Sequence, residues 1–150
     1  MTDHLTLVIP TYQRPAFVER VLRYYAGRRA AFPVVIADSS PPPAAELTQR
    51  VAEAWRPSLR LRYECFDPQI HVAQKIARAL EGVETPYAAL GADDDFSIPE
   101  ALEQAARFLA AHDDYVLAHG EAVLLNLTPT ARCRRWRSRR RPGTPIRRWR

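Results

Sequence analysis

Short apolar runs alternate with longer stretches whose apolar positions recur every three or four residues. Leu5-Thr6-Leu7-Val8-Ile9 is brief, apolar and β-branched, which predicts a buried strand that Pro10 ends. Pro15 suits a first helical turn. Phe17, Val18, Val21, Leu22 and Tyr25 follow at helical spacing up to Gly27, a helix stop. Val34-Val35-Ile36-Ala37 predicts a second buried strand, ending in Asp38-Ser39-Ser40. Pro41-Pro42-Pro43 predicts a stiff extended connection. Ala44 to Trp55 reads as a helix with Leu47, Val51 and Trp55 four residues apart.

Leu59, Leu61, Tyr63 and Cys65 alternate with polar residues, as in a half-exposed or edge strand. His71 to Leu80 predicts a helix with Val72, Ile76 and Leu80 on one face, and Gly82 ends it. Pro86 to Leu90 is a fourth strand. Ser97-Ile98-Pro99-Glu100 has the spacing of a capping box, and a helix follows to about His112. Tyr115 to Ala118 and Ala122 to Leu127 are two more strand-like runs. The order β-α-β-α-β-α-β-α-β predicts an α/β fold, a mainly parallel sheet with helices on both faces. No self-similarity at 20 to 50 residues points to a solenoid.

Composition supports one globular domain: 150 residues, 47% hydrophobic. No apolar run approaches the roughly 20 residues of a membrane span. The start carries an acid and no basic region, so it does not read as a signal peptide. Cys65 and Cys133 fit no metal-ligand spacing and read as free thiols, which points to a reducing, cytoplasmic location. Charge redraws the picture. Ten of the 22 basic residues lie in 132–150, which holds no acid, so residues 1–131 carry twelve basic against 17 acidic residues. The body is acidic, with a net charge of −5, and the high net charge belongs to an Arg-rich tail, 129–150.

Candidate chemistry gathers at strand ends. Thr11-Tyr12-Gln13-Arg14, Asp38-Ser39-Ser40 and Asp93-Asp94-Asp95 each follow a predicted strand. In a parallel sheet all three share the edge where ligands bind. The first βα turn has neither a Gly-x-Gly-x-x-Gly fingerprint nor a Walker lysine, so phosphate needs another counterweight. Carboxylates holding Mg²⁺ or Mn²⁺ supply one, since hard oxygen ligands suit metals that clamp diphosphates. On an extended backbone Asp93 and Asp95 flank one site and Asp94 points elsewhere.

Val8-Ile9-Pro10-Thr11-Tyr12-Gln13-Arg14-Pro15, Ile36-Ala37-Asp38-Ser39-Ser40 and Asp93-Asp94-Asp95-Phe96, in that order, resemble the GT-A fold glycosyltransferases of family 2. Residues 85–96, TPYAALGADDDF, are similar to a bacterial subgroup of that family. The resemblance spans about Leu5 to Leu127. It implies a Rossmann-like GT-A domain over 1–128 and a nucleoside diphosphate sugar as donor, with the acceptor open. It implies that Pro10, Thr11 and Tyr12 contact the nucleoside with Arg14 nearby, and that Asp38 binds base or ribose. Lys75, the only lysine, takes the place of a basic residue facing the nucleotide. Asp93 and Asp95 match the metal ligands of the Asp-x-Asp motif, with Asp94 beside the donor.

Plainer readings stand beside these. Three acids before a helix suit its positive end. Asp38 can cap a turn, Tyr12 and Arg14 can be loop packing, and Lys75 can be a solvated helix residue. Inverting members of the family use a carboxylate base from the second half of the domain. Glu121, the only acid after Asp114, does not match it, so a donor-site half without a complete acceptor half is expected. Residues 132–150 read as a polyanion-binding segment, a terminus without a role, or the product of an altered reading frame. A binding module built on that tail, and a nucleotidyltransferase, are the alternative functions. The latter class usually has a Gly-rich basic first loop, which Pro-Thr-Tyr-Gln-Arg-Pro is not.

Overall fold

The computed structural model describes residues 4–123, and the residues up to Gly120 form one compact unit. The element order is β1 (Leu5–Thr11), α1 (Pro15–Gly27), β2 (Val34–Asp38), α2 (Ala44–Trp55), β3 (Leu61–Cys65), α3 (Val72–Glu81), β4 (Tyr87–Leu90) and α4 (Pro99–Ala111). All pairings are parallel, and the sheet order is β3-β2-β1-β4. Parallel neighbours need crossovers, and each one here carries a helix.

Strand alternation sorts the core into two layers. Leu5, Leu7, Ile9, Val34 and Ile36 face Val18, Val21, Leu22 and Tyr25 of α1, with Ala106 of α4 in the same cluster. Val8, Val35 and Ala37 face the other way, onto Ala79 of α3. The two central strands are therefore covered on both faces. The edge strand β3 is half-buried, as its alternating pattern predicts.

Helical faces depart from the predicted ones in a regular way. The fully buried residues of α2 are Thr48 and Ala52, and those of α3 are Lys75 and Ala79. The larger Val51, Trp55 and Leu80 flank these seams, half-buried, while Val72 is exposed. Thr48, Ala52 and Ala79 are small and allow close approach, Lys75 is buried by its hydrogen bonds, and bulk fills the sides.

Three other expectations fail. Helix α4 has Ile98 at its N-cap with no side-chain cap, so the Ser97–Glu100 box does not form. The helix starts one residue later than the box requires, and Glu100 pairs with Arg28 instead. That guanidinium holds the Glu100 carboxyl below its ordinary range. The proline run turns straight into α2, with Pro43 already in the helical region and the Pro42–Pro43 peptide cis. Tyr115 to Ala118 is not a strand. Tyr115 packs its ring on Phe108 and His112 of α4's end, while Val116 and Leu117 are exposed. Among the described residues this run pairs with no strand. Most of 122–127, the boundary near Thr128, Cys133 and the Arg-rich tail lie outside the described residues. Cys65 is a free, exposed thiol. Among the described residues no helix is long and apolar enough to cross a membrane.

Candidate functional site

Register builds the site. Thr11 at the end of β1 pairs with Asp38 at the end of β2, and Val8 pairs with Leu90 at the end of β4. The Gly91 amide then donates to Val8 O (2.9 Å), which holds the chain against β1. A Cβ at Gly91 would stand 3.2 Å from Leu7 Cδ1 and 3.3 Å from Ile9 Cγ1. Glycine thus lets the backbone turn tightly over the core and deliver Asp93 beside Thr11. All three polar strand ends meet at one sheet edge. A cleft of about 550 Å³ opens there, lined by Pro10, Thr11, Tyr12, Arg14, Ser39, Lys75, Gly91, Ala92, Asp93 and Asp94, with Pro68, Ile70 and Val72 at its side.

The floor is a buried polar network. Asp38 is 0% exposed. Its Oδ1 accepts from the Ser40 amide (2.8 Å) and from Ser40 Oγ, and its Oδ2 accepts from the Tyr63 hydroxyl (3.0 Å). Burial, then the nearby Asp38 charge, holds the Tyr63 phenol far above its ordinary value. The Gln13 amide donates to Ser40 Oγ (2.7 Å), tying the first βα turn to the end of β2. Gln13 has φ 55, in the left-handed region. Lys75 is 3% exposed, and its Nζ donates to Thr11 O (2.7 Å) and Ser39 Oγ (2.8 Å). Burial pushes this amine down, and the charges of Asp38 and Asp93 pull it back up. No buried side-chain polar atom among the described residues lacks a partner.

The wall is the acidic loop. Asp93, 6% exposed, accepts from Thr11 Oγ1 at Oδ2 (2.7 Å) and from Arg14 Nη1 at Oδ1 (3.1 Å). The same Arg14 nitrogen donates to Asp94 Oδ2 (2.9 Å), and these hydrogen bonds raise the guanidinium's pKa. Arg20 donates to Asp94 O (3.2 Å) and lies over Phe17 and Phe96. The Ser97 amide reaches the Tyr25 hydroxyl at 3.4 Å. Helix α1 therefore grips the loop from Asp93 to Ser97.

The predicted residues separate into three groups. Thr11, Arg14, Asp93 and Asp94 are in direct contact; Pro10, Tyr12 and Lys75 line the same cleft. Asp38 lies beneath the surface of the cleft, with both oxygens engaged. Asp95 is exposed and outside the lining. The loop bends at Asp93 and Asp94 instead of continuing as a strand, so alternation does not govern it. The carboxylates that converge on one point are those of Asp93 and Asp94. Sequence reasoning placed Ser40 in a strand-end cluster without a role of its own, and gave Tyr63 and Gly91 none. An Asp-Ser-Ser turn signal points to Ser40, whereas Tyr63 is reached only through the sheet order.

Carboxylate oxygens that already share one cation are a donor set suited to a hard divalent metal. Among the described residues no three His, Cys, Asp or Glu side chains surround one point. A divalent cation held by this pair would keep coordination positions for phosphate oxygens, the usual state of Mg²⁺ on proteins. A second concavity of about 560 Å³, at the amino ends of β2 and β3 by Arg56 to Leu61, has no acid in its lining.

No protein-family model matches the chain, and no curated protein sequence matches it. Solved structures do. TarS from S. aureus, as residues 1–349, superposes with a TM-score of 0.62 at 22% identity over 75% of this chain. TarS 1–349 in complex with UDP gives 0.58 at 21% identity over 75%. The mannosyltransferase PcManGT from Pyrobaculum calidifontis, in complex with GDP-Man and Mn²⁺, gives 0.60 at 23% identity over 73%. This chain spans about a third of each of these structures, 33%. At such identity the likeness speaks for architecture, and the architecture is the Rossmann-like α/β arrangement of the GT-A fold.

Proposed function

We propose that the chain is the donor-binding part of a family 2-like, metal-dependent glycosyltransferase, which takes a sugar from a nucleoside diphosphate sugar. One observation carries this reading. Thr11–Arg14, Ser39, Lys75 and Asp93–Asp94 converge on one cleft at the carboxyl edge of a parallel sheet. That UDP and GDP-Man with Mn²⁺ occupy two structures of the same fold supports it.

Each residue has work that its chemistry suits. The Tyr12 ring, half-exposed on the cleft, offers a stacking face for a base. Lys75 uses two of its three N–H donors on Thr11 and Ser39, which leaves one for a ribose or phosphate oxygen. Asp38 holds Ser40, next to the cleft-lining Ser39, so its part in nucleotide binding is exerted through that turn. Asp93, with Asp94 or Asp95, would hold Mg²⁺ or Mn²⁺. When bound, that metal neutralises diphosphate charge and stabilises the leaving nucleoside diphosphate. The acceptor hydroxyl that attacks the anomeric carbon needs a base. Asp93 and Asp94 are the acids of the cleft lining and both are engaged by Arg14, so donor binding is the chain's own contribution.

Calorimetry with UDP and with GDP, each with and without Mn²⁺, tests the reading. Binding of at least one nucleotide, strengthened by Mn²⁺ and lost in Asp93→Asn, is expected. No heat with either nucleotide in a folded sample would sink it.

A further inference from the structure

The Asp93–Asp94 pair already holds a cation. Arg14 Nη1 lies 3.1 Å from Asp93 Oδ1 and 2.9 Å from Asp94 Oδ2. An ion such as Mg²⁺ taking those two oxygens would stand about 2.0–2.1 Å from each, within the space that nitrogen fills. The other Asp93 oxygen already accepts from Thr11 Oγ1. The guanidinium also repels a second cation. Arg14 is anchored lightly, however. Its side chain is 49% exposed and lies beside Phe17 at the N-cap of α1, with no cover from the core. It can leave without opening the fold.

We propose that Arg14 is the resident cation of the Asp93–Asp94 pair and that a divalent metal ion must displace it to bind there. The inference rests on the metal–diphosphate reading of the cleft. In the nucleotide-free protein Arg14 neutralises the two acids and keeps the loop folded against α1. On metal binding it swings out, staying on the rim of the cleft, where a guanidinium suits the oxygens of a diphosphate. The exchange makes metal and nucleotide bind better together than apart. Metal alone meets a competitor, whereas with diphosphate present the displaced Arg14 gains a new partner.

The test uses the full chain and Mn²⁺ alone, followed by the electron paramagnetic resonance of the free ion. Half-exposed ion pairs are worth up to about 1 kcal/mol, so Arg14→Gln should bind Mn²⁺ about fivefold more tightly than the wild type. Arg23→Gln removes a charge from the same helix, paired with Glu19, and should leave Mn²⁺ affinity unchanged. Equal or weaker Mn²⁺ binding by Arg14→Gln, with native circular dichroism, overturns the proposal. A second measurement does not depend on that variant's folding. In ¹⁵N-labelled wild type, the Arg14 side-chain resonance should move as Mg²⁺ saturates the site. A fixed Arg14 resonance while the Asp93 and Asp94 amides shift is equally fatal. If neither form binds Mn²⁺ but UDP binds unaided, displacement is wrong and the nucleotide reading survives. If UDP also fails to bind, both fall.

Discussion

Asp38 and Asp93 are two buried aspartates at the ends of strands flanking β1, and they are held in opposite ways. Asp38 takes neutral donors only: the Ser40 amide and hydroxyl and the Tyr63 hydroxyl. Ser40 Oγ is also held by the Gln13 amide, and the Tyr63 hydroxyl also reaches Ala45 O at 3.2 Å. Asp93 takes one neutral donor, Thr11, and one half-exposed cation, Arg14. A carboxylate saturated by buried neutral donors has no reason to change partners. A carboxylate balanced by an exposed guanidinium can exchange it for another cation at small cost. The end of β2 is thus built as foundation, and the loop after β4 as the place where one cation can give way to another.

Removing each acid should separate the two regions most sharply. Asp38→Ala strands the Ser40 amide and hydroxyl and leaves the Tyr63 hydroxyl only Ala45 O, so it should cost about 3–5 kcal/mol in urea unfolding. Asp93→Ala strands one hydroxyl and leaves the half-exposed Arg14 paired with Asp94 alone, which should cost about 1–2 kcal/mol. It should nevertheless abolish metal-dependent nucleotide binding. Equal losses of stability would erase the distinction.

The sequence shows the foundation's position better than its wiring. The four strands, the four helices and the shared carboxyl edge all follow from period and order, because buried parallel strands and amphipathic helices leave clear periodic signals. Burial within the helices is less legible. Lys75 is a solvated residue by type, yet it sits at 3% exposure because Thr11 O and Ser39 Oγ satisfy its amine. Neither acceptor is near it in sequence. The Asp93–Asp94 convergence is hidden for a similar reason. It depends on a bend in the loop and on Arg14, some 80 residues away in the chain. Tyr115 to Ala118 has a strand's composition, yet among the described residues it pairs with no strand, which composition cannot reveal.

Thr11 stands between the regions, since its hydroxyl serves Asp93 and its carbonyl serves Lys75 and the Ser39 amide. Thr11→Val keeps the shape and removes the hydroxyl. It should cost about 1.5–3 kcal/mol, the range for a buried hydrogen bond to a charged group. Thr11→Ser should recover most of that loss. If both variants are equally destabilised, methyl packing and not the bond to Asp93 holds the wall.

Alkali should act on the floor. The Tyr63 phenol is raised by burial and then by Asp38, and the Tyr25 phenol is raised by burial. A raised folded pKa means that the stabilisation is complete below the unfolded value of 10.0 and is lost as pH rises above it. Lys75 works the other way. Its lowered pKa lets stability increase as pH climbs toward 10.5. The unfolding temperature should therefore fall once pH passes 10, and Tyr63→Phe should remove roughly half of that fall. An unchanged alkaline profile in Tyr63→Phe would show that the Asp38 network does not depend on the phenol's proton.

The smallest effect is expected at Gln13, where the two regions are joined. Its φ of 55 costs about 1 kcal/mol for a residue with a Cβ. The bond from its amide to Ser40 Oγ is made by the backbone, so the side chain's identity does not enter it. Gln13→Gly relieves the steric cost but gives the unfolded chain more freedom, and the two changes nearly cancel. Stability should stay within about 0.5 kcal/mol of wild type. Gln13→Val keeps the amide but puts a β-branched side chain where φ is positive, so it should lose more than about 1 kcal/mol. A harmless valine would mean that the turn relaxes out of the left-handed region. The amide would then leave Ser40, and the foundation at Asp38 would stand without its tie to the first turn.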